Sequence, residues 1–545
     1  MGKKSCEVKP KINVGDILES FGKYQIVQYI YLCLPAVFVS MSNVNFIFIA
    51  GDVDYRCRVS ECETTETSFE VSWWPASHTD QCSKPVLNRT LMEGNICTNN
   101  SFSNGFEECT SWIYENNDTI TSELNLACHP WQRSMVGPIH GLGLAVAMAI
   151  GGRLSDIIGR KPTLIMCSIG CIVGNLKTFA TSYPVYVSLE FIEAVVSGGA
   201  FAAGNVLMIE IGNKKNRLLA GVLFAYSIYM GEALFAVIAM FVRYWKSLVY
   251  IICTPPLLFI TYIMLIEDST RWLILNGKVN QAKETLKKIV KMNNLNIDPD
   301  ELENLNEENL KQIYNMETHG EKEGLINVLK SKEVLKRFYV GFICRFNIAF
   351  IYYGLIMSSV WLPGNKYLYF FLGALMSFPG ELISLYVLNK IGRRLPLIYG
   401  YLLCGITCII YGCIPESYTW IKIGLFLIGK LLASACYTGI VTYTMELFPT
   451  SVRGSLLGFC TLASCTGNMM GYLTPMMATI SSLLGPMCFG ATGFLASALL
   501  ILLPETKDSP LMDTIDQVTK SIAIEKEKKN IKQSKEEDNI GFTND

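Results

Sequence analysis

The chain has 545 residues, of which 50% are apolar and 17% are charged, and its formal net charge is −1. A soluble protein of this length carries about 25% charged residues, so the composition excludes an ordinary soluble domain and indicates a membrane protein with many spans. Charges of both signs are confined to separate loops, so the net charge identifies no partner. The lipid bilayer is an expected partner, and nucleic acid is not.

The N-terminal part of the chain combines a long apolar run with a polar loop. Residues 1–24 are polar and are expected to be cytoplasmic, and the apolar run that follows to Ala50 is too long for the core of a signal peptide. The polar loop 51–132 contains an even number of cysteines, which indicates disulfides in an oxidising compartment with the pairing left open. These cysteines are Cys57, Cys62, Cys82, Cys97, Cys109 and Cys128.

The same loop contains three glycosylation sequons, which begin at Asn88, Asn99 and Asn117. One sequon is a weak signal because it occurs often by chance. Three sequons that share a loop with six cysteines predict a glycosylated, extracellular loop.

A charged turn, Gly151–Pro162, separates the apolar runs 135–150 and 163–180. Each run is near the ~20 residues that a membrane-spanning helix needs. The turn contains three basic residues, and short loops rich in Lys and Arg stay on the cytoplasmic side. The turn is therefore predicted to be cytoplasmic, opposite the cysteine-rich loop.

The remaining chain supplies further helices on either side of a polar linker, 267–337. The run 279–292 within the linker is amphipathic, with Ala282, Leu286, Ile289 and Val290 on one helical face. The charged tail 505–545 is expected to be cytoplasmic, so both termini lie on that side. The further predicted helices are 185–211, 218–242 and 247–266 before the linker, and 338–361, 367–389, 396–414, 419–445, 454–478 and 482–503 after it.

Two six-helix bundles, 25–266 and 338–504, repeat each other. The matched features are Glu210 and Arg217 with Glu446 and Arg453, Ile158–Lys161 with Ile391–Arg394, and Glu267 with Glu505, separated by 236, 233 and 238 residues. So constant a spacing predicts a parallel repeat with a binding site between the halves.

The pattern G-x-L-x-D-x-x-G-R-K in 151–162 resembles the signature of the major facilitator superfamily. Together with the cysteine-rich loop, Glu267–Leu273, Tyr352–Leu355, Met445–Thr450 and Pro504–Lys507, it resembles solute carrier family 22, the organic cation, carnitine and organic anion transporters. The resemblance implies an all-α polytopic protein with the major facilitator fold, in which twelve transmembrane helices move small organic ions by alternating access.

The resemblance also implies that the basic turns gate the cavity. Gly152 and Gly159 would allow close backbone approach, Asp156 would face a helix N-terminus in the other half, and Arg153 and Arg160 would pair with Glu210. The gating set is completed by Arg217, Glu446 and Arg453. The second copy has Asn389 and Lys390 where the first has its acid, so the first copy is predicted to dominate.

Ionisable residues inside predicted helices are candidates for the substrate site, because they are costly in a bilayer. Glu381 follows Pro379–Gly380 in mid-helix, where organic anion transporters carry Lys; an acid there favours a cationic or zwitterionic substrate, and the alternative is a pair with a neighbouring helix. Arg345 either binds a carboxylate or snorkels to the inner interface, which we favour slightly. Glu232 is a further unusual acid.

Three positions depart from or extend the family pattern. Lys430 matches a basic residue of the family and is expected to pair between helices. Glu190 replaces an Arg of many relatives, and proton coupling and a changed partner are the two alternatives that this leaves open. Cys465 stands where cation transporters have Asp and anion transporters Arg, so selectivity must come from the candidates above or be loose.

Aromatic residues are expected to line the cavity, where their faces attract quaternary ammonium groups. Each is otherwise a core or lipid-facing residue. The candidates are Tyr352, Tyr353, Phe201, Phe224, Tyr226 and Tyr437.

The sequence thus predicts a plasma-membrane transporter of organic cations or carnitine-like zwitterions. An organic anion exchanger, favoured by Arg345 and Lys430, and a non-transporting receptor or scaffold are the alternatives. An enzyme is not expected, because the four histidines form no catalytic or metal-ligand pattern, and no cofactor or metal is predicted.

Overall fold

The structure is a computed structural model. It describes residues 21–63, 68–74, 80–88, 97–98, 101–212, 216–295, 302, 305–314, 328, 330–449, 451–507, 515 and 517–518. In this part of the chain, ten helices are long and apolar enough to cross a membrane. Two more, Arg453–Tyr472 and Leu484–Leu500, occupy the places of the predicted eleventh and twelfth helices.

We number these helices in chain order. They are α1 Lys23–Ile49, α2 Pro130–Ile158, α3 Arg160–Phe179, α4 Tyr183–Ile211, α5 Arg217–Phe241, α6 Trp245–Leu265, α7 Lys332–Trp361, α8 Lys366–Lys390, α9 Arg394–Cys413, α10 Thr419–Leu447, α11 Arg453–Tyr472 and α12 Leu484–Leu500.

One predicted helix is divided in the structure. The run 454–478 forms α11 and a separate short helix, Thr474–Ile480, which has Pro475 in its first turn. Proline has no backbone N–H to continue the ladder of the preceding helix, so it favours the start of a new one.

The two halves of the bundle pack their helices in the same pairs. In the first half α1 packs against α5, α2 against α4 and α3 against α6; in the second α7 packs against α11, α8 against α10 and α9 against α12. The halves meet where α2 packs against α11 and α5 against α8. These pairings have the same symmetry as the sequence repeat.

The polar loop between α1 and α2 contains two small antiparallel sheets. Strand β1, Tyr55–Cys57, pairs with β4, Trp112–Tyr114, and β2, Ser83–Leu87, pairs with β3, Phe102–Glu108. The structure joins its six cysteines as Cys57–Cys109, Cys62–Cys97 and Cys82–Cys128, a pairing that the sequence leaves open. We call the end of the bundle that carries this loop the loop end.

The opposite end, which we call the linker end, carries the turn 151–162 and the segment between the halves. Short helices, Thr270–Leu275, Val279–Met292 and Glu307–Ile313, form a small core there with Tyr24. Ala282, Leu286 and Ile289 of the amphipathic helix are buried, and Val290 is partly buried against the same core.

Candidate functional site

The turn between α2 and α3 is held by contacts within the first half. Arg160 Nη2 lies 3.0 Å from Asp156 Oδ1, and Arg160 Nε lies 3.2 Å from Glu210 Oε2. The backbone N–H groups of the first two residues of α3 donate to Asp268 Oδ1, each at 3.2 Å. A carboxylate is stabilised at the positive N-terminus of a helix, so Asp268 caps α3. Gly159, with φ 115°, provides the turn.

The turn between α8 and α9 repeats this arrangement. Arg393 Nη2 donates to Glu446 Oε1 at 3.0 Å and its Nε to Oε2 at 3.1 Å. The backbone N–H groups of Arg393 and Arg394 donate to the carboxylate of Glu505 at 2.8 and 2.9 Å, and Gly392 has φ 135°. In both copies the capping acid comes from the segment after α6 or α12 and not from the turn itself. These contacts give no reason for the first copy to dominate, and that expectation stays a prediction.

The Glu505 carboxylate has a lowered pKa outside the membrane-spanning helices. Burial alone raises the pKa of Glu505, but backbone N–H groups of Arg393, Lys507, Arg394 and Thr506 donate to its carboxylate and hold the pKa below its ordinary value. The ionised form of this carboxylate therefore stabilises the start of α9.

The sequence repeat matches Glu505 with Glu267. In the structure, however, the acid that caps α3 is Asp268. Glu267 instead pairs with Lys288 of the linker, with Lys288 Nζ 2.5 Å from Glu267 Oε1. The two acids are adjacent in sequence, and only the backbone direction after α6 decides which one points at α3.

Other predicted gating residues make different contacts in this conformation. Asp156 pairs with Arg160, and Arg153 is exposed and forms no ion pair with the residues that the structure describes. The contact of Asp156 with the other half, expected when the linker end is closed, stays a prediction. In the second half, Arg453 donates to the carbonyl of Phe448 at 2.9 Å, and Glu446 pairs with Arg393. The side chain of Arg217 lies outside the described residues.

The close approach predicted at Gly152 occurs at its neighbour. A Cβ on Gly152 would meet nothing within 4 Å, whereas a Cβ on Gly151 would lie 2.9 Å from Gly199 Cα on α4. The helical rotation of α2 therefore turns Gly151, not Gly152, toward the neighbouring helix.

At the loop end, aromatic side chains join the two halves. The rings of Phe46 and Tyr472 have centroids 4.9 Å apart, and those of Phe48 and Phe370 are 5.3 Å apart. A Cβ on Gly137 would lie 3.0 Å from Tyr472 Cβ. The halves are thus in contact at the loop end, whereas the ion pairs described at the linker end each lie within one half.

Glu381 lies between the halves and is 2% exposed. Tyr229 of α5 donates to Glu381 Oε2 at 3.3 Å, and Thr438 of α10 also donates to this oxygen. Within the described chain, no cationic side chain forms an ion pair with Glu381. The ring of Phe378 packs against Tyr226 and Tyr229, with centroids 4.9 and 5.7 Å apart.

A buried cation lies nearby on α10. Lys430 Nζ is 3.2 Å from the centroid of the Tyr352 ring and finds no hydrogen-bond acceptor among the described residues. Its charge interacts favourably with that of Glu232, which is 3% exposed on α5. Lys430 therefore connects α10 to α7 through an aromatic face, a partner that the sequence did not identify.

The tyrosines of the second half form a continuous row toward the loop end. Tyr352 contacts Tyr437 and Tyr353 with centroid separations of 5.6 and 5.2 Å, and Tyr353 contacts Tyr472 at 5.3 Å. Phe201 and Phe224, with centroids 6.4 Å apart, pack instead in the separate core of the first half. The structure thus brings together only part of the predicted aromatic set.

Arg345 is only 7% exposed and does not snorkel to the interface. The guanidinium group of Arg345 interacts electrostatically with Tyr437, Cys460 and Cys465. Arg345 therefore lies beside the row of tyrosines. The snorkelling prediction is wrong because α7 begins at Lys332 and not at residue 338, which places Arg345 deeper in the helix.

A second buried ionic cluster, in the first half, was missed by sequence reasoning except for Glu190. Lys177 Nζ lies 2.7 Å from Glu190 Oε2 and 2.5 Å from Glu193 Oε2, and His140 Nδ1 lies 2.8 Å from Glu190 Oε1. All four side chains are fully buried. The available signal was the presence of Lys177 and Glu193 in apolar runs.

On the loop itself, Asn88 and Asn117 lie among the described residues and Asn99 lies outside them. Glycosylation of all three stays a prediction.

A family model described as "Sugar (and other) transporter" matches residues 92–517. Among curated proteins, the chain is 28% identical to the organic cation transporter protein of Drosophila melanogaster, covering 92% of each chain. It is 26% identical to solute carrier family 22 member 3 of Mus musculus, covering 92% of this chain and 94% of the relative. It is 27% identical to solute carrier family 22 member 6 of Bos taurus, covering 92% and 93%.

Among solved structures, the chain is similar to the xylose transporter XylE from E. coli in a partially occluded inward open conformation. The TM-score is 0.62 at 15% sequence identity, and the match covers 90% of this chain and 100% of that chain. An inward open structure of XylE gives a TM-score of 0.55 at 18% identity, covering 71% and 89%. These matches confirm the predicted twelve-helix transporter fold.

Proposed function

The chain belongs to the sugar (and other) transporter family and, with its solute carrier family 22 relatives, to the major facilitator superfamily; from this membership we propose that it moves small organic cations or zwitterions across the plasma membrane by alternating access. The superfamily consists of transporters and not of enzymes, and the protein is a multi-pass membrane protein.

We assign the loop end to the outside of the cell. Three disulfides persist in an oxidising compartment, and the basic turns beside Arg160 and Arg393 favour the cytoplasm for the linker end. Since α1 begins and α12 ends at the linker end, both termini would be cytoplasmic. With this orientation, the contacts at the loop end make the conformation inward-facing.

The proposal of a cationic substrate rests on the surroundings of Glu381. Its buried carboxylate receives hydrogen bonds from the hydroxyls of Tyr229 and Thr438 and has no cationic partner among the described residues. A buried charge without a counter-ion is costly. A substrate ammonium group would supply the missing charge, and the faces of Tyr226 and Phe378 would attract it by cation–π contact, each worth about 1–2 kcal/mol.

An organic anion is the second candidate, supported by two of the buried cations of the second half, Lys430 and Arg345. Lys430 Nζ lacks a hydrogen-bond acceptor among the described residues, and Arg345 lies beside the tyrosine row. Lys430 already has the Tyr352 face and the attraction of Glu232, so we place the anion second. A zwitterion would use Glu381 for its ammonium group and a cation of the second half for its carboxylate.

The test is uptake by cells that express the protein, with a labelled quaternary ammonium compound, a labelled betaine and a labelled aromatic carboxylate. Cells that express the Arg160→Ala/Arg393→Ala double variant at the same surface level serve as the control. We expect saturable entry of the first two compounds, each competing with the other. Entry of the carboxylate alone, without competition by the cation, would overturn this proposal in favour of an organic anion transporter. If no compound entered, a non-transporting receptor or scaffold would be the remaining interpretation.

A further inference from the structure

The cluster of His140, Lys177, Glu190 and Glu193 lies inside the first half, where α2, α3 and α4 meet. Its side chains are fully buried. Two carboxylates and one ammonium group leave one negative charge uncompensated, unless one more proton is bound. A buried group of ions is tolerated only when its charges and hydrogen bonds are satisfied, so the position of that proton matters.

His140 has an oxygen acceptor beside each of its ring nitrogens. Its Nδ1 lies 2.8 Å from Glu190 Oε1, and its Nε2 lies 3.2 Å from Asn43 Oδ1 on α1. Both partners are acceptors, and an imidazole donates from both nitrogens only when it is protonated. In neutral His140, one ring nitrogen would carry a lone pair in place of a hydrogen. If that nitrogen were Nε2, the Asn43 amide would have to flip so that its NH₂ group donates to it.

Among the described residues, the other titratable groups around the cluster do not supply the missing positive charge. Tyr186 on α4, Cys171 on α3 and Cys253 on α6 interact with its acids, and Tyr472 on α11 contacts the ring of Phe46. Tyr and Cys side chains are neutral or anionic and never cationic. Ser42 of α1 donates to Glu193, which satisfies one of its oxygens without adding charge.

A cavity at the loop end is lined by Phe46, the aromatic neighbour of His140. It has a volume of about 280 Å³ and is lined by Phe46, Gly137 and Tyr472, together with the ion pair of Arg133 and Asp52. The centroid of the Phe46 ring is 5.7 Å from that of the His140 ring. Because Phe46 also contacts Tyr472 of the second half, the surroundings of His140 continue into the contact that closes the loop end.

We propose that His140, Glu190, Glu193 and Lys177 form a proton-binding site, in which a proton that enters from the loop-end cavity converts neutral His140 to imidazolium and stabilises the conformation closed at the loop end. No other bond forms or breaks. A ligand that binds one conformation more tightly shifts the equilibrium toward it. The coupling to transport rests on the proposed function, whereas proton binding itself does not.

Proton binding is tested by NMR on the full-length protein with isotope-labelled histidine in lipid nanodiscs. The chain has four histidines, so His140→Gln identifies the resonance, and His129→Gln, at an exposed position, checks the assignment. We expect a doubly protonated imidazolium at the acid end of pH 5.5–8.5, and Glu193→Gln, which removes the uncompensated charge, should weaken proton binding at least tenfold. A neutral imidazole over the whole range, or the same titration in Glu193→Gln, would overturn the site.

Coupling is tested through the accessibility of the cavity. A cysteine introduced as Val360→Cys on the wall of the cavity, in a background in which the exposed thiol Cys413 is replaced by Ser, reports how accessible the cavity is from the loop end. The rate at which a membrane-impermeant thiol reagent labels this cysteine is divided, at each pH, by the rate in the same protein with His140→Gln, which corrects for thiol ionisation. We expect this corrected rate to be at least threefold lower at pH 6 than at pH 8. Equal corrected rates would refute the coupling. Neither measurement requires a known substrate, so their failure is distinct from a failure of the uptake assay.

Discussion

The ammonium nitrogen of Lys430 lies 3.2 Å from the centroid of the Tyr352 ring. Both side chains are buried, at 1% and 5% exposure, and the contact joins α10 to α7 inside the second half. A desolvated cation over an aromatic face gains about 2 kcal/mol. The stability of the half should therefore depend on the ring and not on the hydroxyl of Tyr352, which makes only a 3.4 Å contact with Ser377 Oγ.

Tyr352→Phe should keep the aromatic face, and its melting temperature should stay close to that of the parent protein. Tyr352→Leu should lose the cation–π contact and lower the free energy of unfolding by about 2 kcal/mol or more, because Lys430 is left without a partner face. Thermal unfolding of the purified protein measures both variants. Equal melting temperatures for the two would show that the contact does not stabilise the fold.

Glu381→Gln should reduce uptake of a quaternary ammonium compound about tenfold or more at equal surface expression, the equivalent of about 1.4 kcal/mol in binding. The amide keeps the shape of the side chain and can still accept from Tyr229, but it no longer offers a negative charge. Glu115→Gln, at an exposed glutamate of the loop, is the matched control and should transport as the parent does. Unchanged uptake by Glu381→Gln would remove this residue from the substrate site.

The sequence was a good guide to features that depend on neighbours along the chain. The apolar runs and charged turns predict the helices and their repeat because membrane length and side-chain period are local constraints. The pair of Arg160 and Glu210 was also predicted, from the resemblance to the major facilitator superfamily.

Contacts between helices depend on which face of each helix packs against its neighbour, and these contacts could not be predicted from the sequence in the same way. His140, Lys177 and Glu190 come from three helices, and nothing local indicates that they meet in one cluster. Asp268 and Glu267 are adjacent, yet only one caps α3. For Arg345, an error of six residues in the start of α7 moved the predicted side chain from the core to the interface.

Arg160→Ala and Arg393→Ala should impair transport to a similar degree, roughly threefold to tenfold in initial rate, because the two turns make equivalent contacts. The double variants Arg393→Ala/Glu446→Ala and Arg160→Ala/Glu210→Ala should be little worse than the single ones, since each pair acts as a unit. Initial rates normalised to surface level measure this. A much larger effect of Arg160→Ala would restore the predicted dominance of the first turn.

The lowered pKa of Glu505 predicts a stability change in acid. Because the folded-state pKa is below the ordinary value, the carboxylate contributes stability that is fully present above that ordinary value, about 4.3, and is lost as the pH falls through the lower folded-state pKa. The difference in melting temperature between the parent and Glu505→Gln should be constant from about pH 5 to pH 7 and should shrink below about pH 4. Glu308→Gln, at an exposed linker position, should show no such trend.

Two adjacent glycines of α2 should respond in opposite ways to the same substitution. At Gly151 a Cβ would lie 2.9 Å from Gly199 Cα, and since the obstacle is backbone, α2 and α4 would have to move apart, at a cost of about 1–3 kcal/mol. At Gly152 the Cβ would meet nothing within 4 Å, so alanine should stabilise the helix by about 0.5–1 kcal/mol through its lower entropy cost. Gly151→Ala is therefore expected to lower the melting temperature and the surface level, and Gly152→Ala to raise or preserve both. The reverse order would mean that the rotation of α2 differs from the one described, and it would return Gly152 to the close contact that the sequence suggested.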